Sequence, residues 1–268
     1  MTLNDIPGLC RSLSLKGAAE CLERLSGTDP DFMVSMPADV IPGTMLTEER
    51  NGRSSRRRDS LLKLSRLPGG ALTPGDITCD SVRGNEFRTV MEELLTLGFV
   101  RRGQNLCIFG AAGSGKTRIA SLPGRLNCAA GHSTLYFTTS GLIDTLALTR
   151  GSPMYDTKLR GIVSRSMLIL DDFCLTSYDE KQQSILYDVL NARYGVRSTV
   201  ILSQKTPKLW REKLKGGSLG ESIVERASNN NRTLTLRGKS RRRSIDPLPE
   251  EGTAASGEAS APADETAQ

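Results

Sequence analysis

Leu106-Cys107-Ile108-Phe109 runs directly into Gly110-Ala111-Ala112-Gly113-Ser114-Gly115-Lys116-Thr117, after which Arg118-Ile119-Ala120 follows. A short apolar run bounded by glycine reads as a buried strand. The residues after it fit GxxxxGK[ST], in which glycines let successive backbone N–H groups turn inward around a phosphate at the start of a helix. Strand, loop and helix therefore come in the order that a phosphate-binding loop requires. Lys116 is the cation for the β- and γ-phosphates and Thr117 the hydroxyl for Mg2+, so ATP with Mg2+ is the expected ligand pair.

Further short apolar runs lie downstream at Thr134 to Phe137, Met167 to Leu170, Thr199 to Leu202 and, more weakly, Thr233 to Leu236, separated by helix-length spacers. Unbroken apolar strands alternating with helices predict a parallel sheet covered on both faces, an α/β wound fold. The spacer from Asp179 to Tyr194 is the clearest helix, with Ser177 and Glu180 at capping-box spacing. Met167 to Leu170 ends in Asp171-Asp172, which places two carboxylates at the C-terminal end of a buried strand, where such sheets bind ligands. The first acid is the expected Mg2+ partner and the second the one that polarises the attacking water. Gln204, after Ile201-Leu202-Ser203, stands at the same edge, where it either senses the γ-phosphate or caps the strand.

Ahead of the loop, Leu15, Ala18, Ala19, Leu22 and Leu25 recur at helical spacing, with Gly27 and Pro30 closing the pattern. From Thr47 to Arg66 a helix carries Arg50, Arg53, Arg56, Arg57, Arg58, Lys63 and Arg66 against Glu48, Glu49 and Asp59, a net of +4. Pro68, Gly69, Gly70, Pro74 and Gly75 then break regular structure. The expected organisation is a helical basic N-terminal domain over 1–70, an ATPase domain over 71–243, and a disordered acidic tail over 244–268, too poor in apolar residues to offset ordering entropy. The chain of 268 residues has a net charge of +6, and the tail alone carries six acids and no base, so residues 1 to 243 hold +12. That surplus favours a polyanionic partner, nucleic acid foremost. No run approaches the roughly 18 apolar residues of a membrane span, so no membrane is expected and the cytoplasm is the default compartment. The cysteines, without CxxC spacing, read as reduced thiols, and His132, the only histidine, as a surface residue.

The ordered series of motifs resembles the IstB-like ATP-binding proteins, transposition helpers related to the DnaC helicase loaders in the AAA+ group. The resemblance spans most of residues 13 to 243. It is carried by Leu15-Lys16-Gly17-Ala18-Ala19, the Glu48-Glu49-Arg50 and Arg56-Arg57-Arg58 helix, and Phe99 to Asn105 before the loop. Further on it includes Leu168 to Phe173, Ala192-Arg193-Tyr194, Val200 to Gln204 with Trp210, Glu221 to Arg226, and Arg237-Gly238-Lys239-Ser240. It implies an AAA+ sheet of five parallel strands in the order 5-1-4-3-2 and places Gln204 at the sensor position. Arg226 is placed where the family carries an arginine finger for a neighbouring subunit, and Arg242 at a C-terminal nucleotide-contacting arginine, although Lys239 stands for a glutamate there. The implied function is a DNA-stimulated ATPase that assembles as a homo-oligomer on double-stranded DNA and assists a transposase. The rivals are a replicative helicase loader with the same engine, a small-molecule P-loop kinase, and a nucleotide-gated DNA clamp with little turnover. Two departures stand out. Pro123 lies inside the helix after the loop, where an interior proline costs about 3 kcal/mol and forces a kink or an early end. Cys174 replaces a frequent glycine.

Overall fold

The computed structural model describes residues 5–28, 37, 39–69 and 84–236. Arg242, Cys79 and the acidic tail lie outside the described residues, as does most of the glycine- and proline-rich break after Leu67. The strands are β1 (Asn105–Gly110), β2 (Thr134–Thr138), β3 (Met167–Asp171), β4 (Ser198–Ser203) and β5 (Asn231–Leu236). They pair in parallel as β2-β3-β4-β1-β5, which is the expected 5-1-4-3-2 order read from the other edge.

Side chains that alternate along these strands divide the apolar residues between two cores, as period-two geometry demands. Leu106, Ile108, Met167, Ile169, Val200, Leu202 and Leu234 face one way, towards α4 (Gly84–Thr96) and α6 (Lys116–Ala129). Cys107, Leu135, Phe137, Leu168, Leu170 and Ile201 face the other, together with residues of α7 (Thr139–Ala147), α9 (Glu180–Arg193) and α11 (Ser218–Ser228). The short α5 (Gly98–Arg101) leads into β1, α8 (Pro153–Val163) precedes β3, and α10 (Pro207–Lys213) follows β4.

Several elements run beyond the apolar runs because polar side chains find specific partners. Asn105 begins β1, donating from Nδ2 to the Arg226 carbonyl at 2.8 Å and accepting the Thr199 N–H at 3.0 Å. The cap of α9 is Asp179, not Ser177. Its carboxylate accepts the Gln182 N–H at 2.8 Å, and Gln182 Oε1 accepts the Asp179 N–H at 3.0 Å. The box lies two residues further on because the extended backbone that a cap needs falls at Asp179. α6 continues to Ala129 with Pro123 inside it, so the proline does not end the helix early. The next residue, Gly124, lets Leu67 close on the helix: a Cβ there would lie 3.1 Å from the Leu67 methyls.

The basic segment is longer than its charge pattern. α3 runs from Val40 to Leu64, with Pro42 tolerated in the first turn, where the N–H has no intrahelical partner anyway. α1 (Ile6–Ser12) and α2 (Lys16–Thr28) pack with it around Cys10, Ala18, Ala19 and Met45. Gly17 allows the close approach, since a Cβ would sit 2.8 Å from the Glu48 carbonyl oxygen. The buried Glu49 carboxylate then caps α2, accepting Gly17 N–H at 2.7 Å and Ala18 N–H at 3.3 Å. Arg53 donates to its other oxygen at 2.6 Å. That hydrogen bond, aided by the two backbone N–H groups against the opposing effect of burial, holds Glu49 below the usual carboxylate range. Among the described residues no helix is long and apolar enough to cross a membrane. Cys10, Cys21, Cys107, Cys128 and Cys174 are buried free thiols.

Candidate nucleotide site

The loop after β1 has the backbone that its glycines permit: Gly113 at φ 74° and Gly115 at φ 90° are left-handed. Ser114 Oγ, held inside the turn, is buried with no hydrogen-bond partner among the described residues. Lys116, itself buried, reaches back so that the Gly110 and Ala111 carbonyls accept from its ammonium at 2.9 Å each. An inward-facing peptide turn at a helix start, an orphaned hydroxyl and a cation over the loop mouth make an arrangement that fits a polyphosphate.

Below the loop, α6 and β3 bring together residues that the sequence holds far apart. Thr117 Oγ1 donates to Asp171 Oδ2 at 2.7 Å, and Asp171 Oδ1 accepts the Asp172 N–H at 2.8 Å. Hydroxyl and carboxylate, adjacent at the loop base, are the oxygen donors a Mg2+ ion takes. Asp172 is half-buried in a left-handed conformation, φ 53°, which turns the chain off the strand end. Cys174 is also left-handed at φ 52°, a backbone that explains why glycine suits this position. Its burial pushes the thiol up to about 12, so it is an unreactive packing group.

β4 lies between β3 and β1, and Ser203 pairs with Phe109. Gln204, the next residue, is therefore an exposed side chain at the edge between the phosphate loop and the acid pair. Ser203 fixes that turn, donating to the Phe173 carbonyl at 2.7 Å and accepting the Trp210 indole N–H at 3.0 Å.

Arg226 sits elsewhere. Its carbonyl is bound by Asn105 at the start of β1, whereas the phosphate loop follows the end of that strand. At about 3.3 Å per residue the two are separated by roughly 17 Å. The guanidinium lies on α9, donating to Asn191 Oδ1 at 2.7 Å, with the Tyr187 ring centroid 4.9 Å away. It does not join its own subunit's phosphate loop.

Two features escaped the sequence reading. Tyr136, on β2, donates its hydroxyl to Asp171 Oδ2 at 2.9 Å. Burial first, then the Asp171 charge and that hydrogen bond, push the phenol far above its ordinary value and keep it a donor. The available signal was the tyrosine itself, since a half-buried phenol inside a strand needs a partner. The second is a cleft of about 420 Å³ at the opposite end of the sheet, between α3 and the turns that precede β2, β3 and β4. It is lined in part by Arg57, Arg197, His132, Ser133, Ser164 and Ser166, with no carboxylate among its lining residues. Behind it, Arg193 is a buried cation whose guanidinium donates to the carbonyls of Val163, Arg165 and Ser198. Burial, and then Arg197, lower it to about 9, still charged at neutral pH.

A parallel sheet in this order, with a phosphate loop after its first strand and an acid pair after its third, defines a P-loop nucleotide-binding protein of the AAA+ fold. The solved structure of DnaI superposes with a TM-score of 0.53 at 18% identity, covering 69% of this chain and all of that one. AMPPCP-bound DnaA from Aquifex aeolicus superposes at 0.52 and 20% identity, over 64% of this chain and 51% of that one. Within that fold, residues 9–246 match the family described as IstB-like ATP binding protein, and the chain belongs to that family. It is 30% identical over 239 residues to an insertion sequence ATP-binding protein of Sinorhizobium fredii (strain NBRC 101917 / NGR234), covering 89% of this chain and 95% of the relative. An insertion sequence IS21 ATP-binding protein of Pseudomonas aeruginosa is 31% identical over 198 residues, 74% of each chain.

Proposed function

We propose that this chain is a Mg2+-dependent ATPase of the cytoplasm that assembles as a homo-oligomer on double-stranded DNA and assists a transposase. The hydrogen bond between Thr117 Oγ1 and Asp171 Oδ2 at 2.7 Å carries the catalytic half of the reading, because it seats a divalent-cation pair directly beneath the phosphate loop. In the proposed mechanism the loop N–H groups and Lys116 hold the β- and γ-phosphates, with Gly110, Ala111, Ala112, Gly113, Ser114 and Gly115 forming the cradle. Thr117 and Asp171 hold Mg2+, which when bound supplies neutralisation of charge on the phosphate oxygens. Asp172 accepts a proton from the attacking water, and Gln204 orients that water against the γ-phosphate, whose bond to the β,γ-bridging oxygen breaks as ADP leaves. Arg226 acts across a subunit boundary, and its distance from its own loop supports that assignment over a role in its own subunit. Arg242, outside the described residues, is assigned to the nucleotide by the family pattern alone.

The DNA half rests on charge: residues 1 to 243 hold a large positive surplus, and the cleft beside α3 is bordered by Arg57, Arg197 and His132 without a lining carboxylate. The transposase is preferred to a helicase as partner because the relatives aligned over most of their length are insertion sequence proteins, whereas the replication proteins share the fold alone. ATPase turnover measured with and without duplex DNA, alongside assembly size with and without nucleotide, tests the reading. Stimulation by DNA together with ATP-dependent growth in size is the expected result. Phosphorylation of a small acceptor with no response to DNA would overturn it.

A further inference from the structure

The Asp171 carboxylate is more tightly specified than a metal ligand at a strand end has to be. Oδ2 accepts from two hydroxyls, Thr117 at 2.7 Å and Tyr136 at 2.9 Å, while Oδ1 accepts the Asp172 N–H at 2.8 Å. Thr117 is itself a proposed metal ligand, so its hydroxyl must turn a lone pair towards the ion. Tyr136 has no such second task. Its hydroxyl is already committed as a donor to Oδ2, and it can hold that oxygen through metal arrival.

The backbone of the same residue is bound to the DNA arm. β2 is an edge strand, and the Tyr136 N–H on its outer side donates to the Ser65 carbonyl at 2.8 Å. Ser65 is the C-cap of α3 and fully buried, and its carbonyl is one of those a helix end leaves without an intrahelical partner. The joint around it is firm. Leu67 packs against Gly124, the Arg66 guanidinium lies 5.1 Å over the Phe137 ring, and Arg125 donates to the Pro68 carbonyl at 3.2 Å. A displacement of α3 therefore reaches the β2 backbone at the residue of that strand whose hydroxyl holds the Mg2+ carboxylate.

We propose that Tyr136 is a positioning residue that couples occupancy of the basic helix by DNA to the Mg2+ carboxylate. The coupling rests on the DNA-binding reading above. The positioning of Asp171 does not. Tyr136→Phe keeps the ring and its packing while deleting the hydroxyl, so it separates the two roles from the fold.

The test uses the full chain, Mn2+ as a spectroscopic substitute for Mg2+, a non-hydrolysable ATP analogue and a duplex oligonucleotide, with Mn2+ affinity read by electron paramagnetic resonance. Nucleotide affinity in chelator should be unchanged in the variant, while Mn2+ affinity in the nucleotide complex falls about tenfold, the equivalent of about 1.4 kcal/mol. DNA should tighten Mn2+ binding to the wild type and have no effect on Tyr136→Phe. Equal Mn2+ affinity in the two proteins overturns the positioning role, and an equal DNA response in both overturns the coupling. If DNA binds neither protein, the DNA reading has failed, and with it the coupling, whereas the Mn2+ shift still decides the positioning role. Should the variant misfold, fluorotyrosine-labelled wild type answers instead: a Tyr136 fluorine resonance that DNA leaves unmoved overturns the coupling.

Discussion

Gly17→Ala tests how the N-terminal arm is held together. A Cβ at this position lies 2.8 Å from the Glu48 carbonyl oxygen and 3.0 Å from Glu49 Cα, both backbone atoms that no rotamer change can move aside. Relief to the 3.4 Å of ordinary van der Waals separation requires α2 to withdraw from α3. The Gly17 N–H, now 2.7 Å from Glu49 Oε2, is then stretched, and the Ala18 N–H, already at 3.3 Å, passes out of hydrogen-bond range. Overpacking costs about 1–3 kcal/mol, and breaking a hydrogen bond to a charged acceptor costs about 1.5–3 kcal/mol. The better helix propensity of alanine returns about 1 kcal/mol. The net destabilisation is about 1.5–5 kcal/mol, against a local core that contains two alanines and a cysteine. Hydrogen exchange followed by mass spectrometry is the assay. Protection of amides in α2 should fall by roughly 10- to 4,000-fold, since each 1.4 kcal/mol is tenfold. Amides of β1 and nucleotide affinity should be unaffected. Unchanged protection in α2 would refute the claim that close backbone approach at Gly17 seats the arm.

Glu49 gives the same interface a pH dependence. Its folded pKa lies below its unfolded value, so the stability it contributes is present above the ordinary glutamate range, near 4.3, and is lost as pH falls through the lower folded value. Protease resistance of α2 should follow that course, and Glu49→Gln should abolish the pH dependence. Asp172→Asn should keep ATP yet lose turnover by at least about a hundredfold, the lower range for a positioned base. Turnover as in the wild type would assign the water to another residue. Replacing Arg57 and Arg197 by Ala should weaken binding to all duplex sequences alike and lower the slope of log K against log salt by about 0.9 for each phosphate that is no longer neutralised. An unaltered slope would take the cleft out of the DNA path. Arg226→Ala should bind ATP normally but hydrolyse it about 10³- to 10⁵-fold more slowly, and mixing it with Asp172→Asn should restore turnover at the interfaces that pair an intact acid with an intact arginine. Absence of rescue would leave Arg226 as the residue that ties α11 to Asn191 and Tyr187 of α9.

What the sequence made legible is what local chemistry determines. Apolar runs marked β1, β3 and β4 most clearly, because a strand buried on both faces has no polar position to interrupt it, whereas β5, an edge strand that buries only Leu234 and Leu236, gave a weaker signal. Strand ends such as Asn105 and Arg232 were hidden, since polar residues there join the ladder through partners far along the chain. The phosphate loop was readable because its function is carried by consecutive backbone groups. Tyr136 was readable only as a phenol in need of a partner, because its meaning depends on Asp171 on the neighbouring strand and on Ser65, which it meets only once the arm has docked at the edge of the sheet. Arg193 belonged to a recognised motif, but its reason lies in three carbonyls gathered from the end of α8, the turn after it and the start of β4. Pro123 misled for the converse reason. Local cost argued for a kink or an early end, while the packed environment around α6 carries the helix on to Ala129.

The docking of Ser65 onto β2 bears on how these proteins can be taken apart. β2 is an outer strand of the sheet, and its Tyr136 N–H is satisfied by the arm rather than by solvent or another strand. A fragment that begins after Leu67 would carry an uncovered strand edge, together with the apolar patch on α6 that Leu67 leaves behind. Exposed edges of this kind recruit other chains. Size measurements on such a fragment would then report adhesion through the wound instead of nucleotide-driven assembly. By the same logic, an exchange of arms between relatives can succeed only when the graft carries its own closing segment, so the unit that can be inherited or engineered as a module ends after Leu67 and not at the last arginine of the helix.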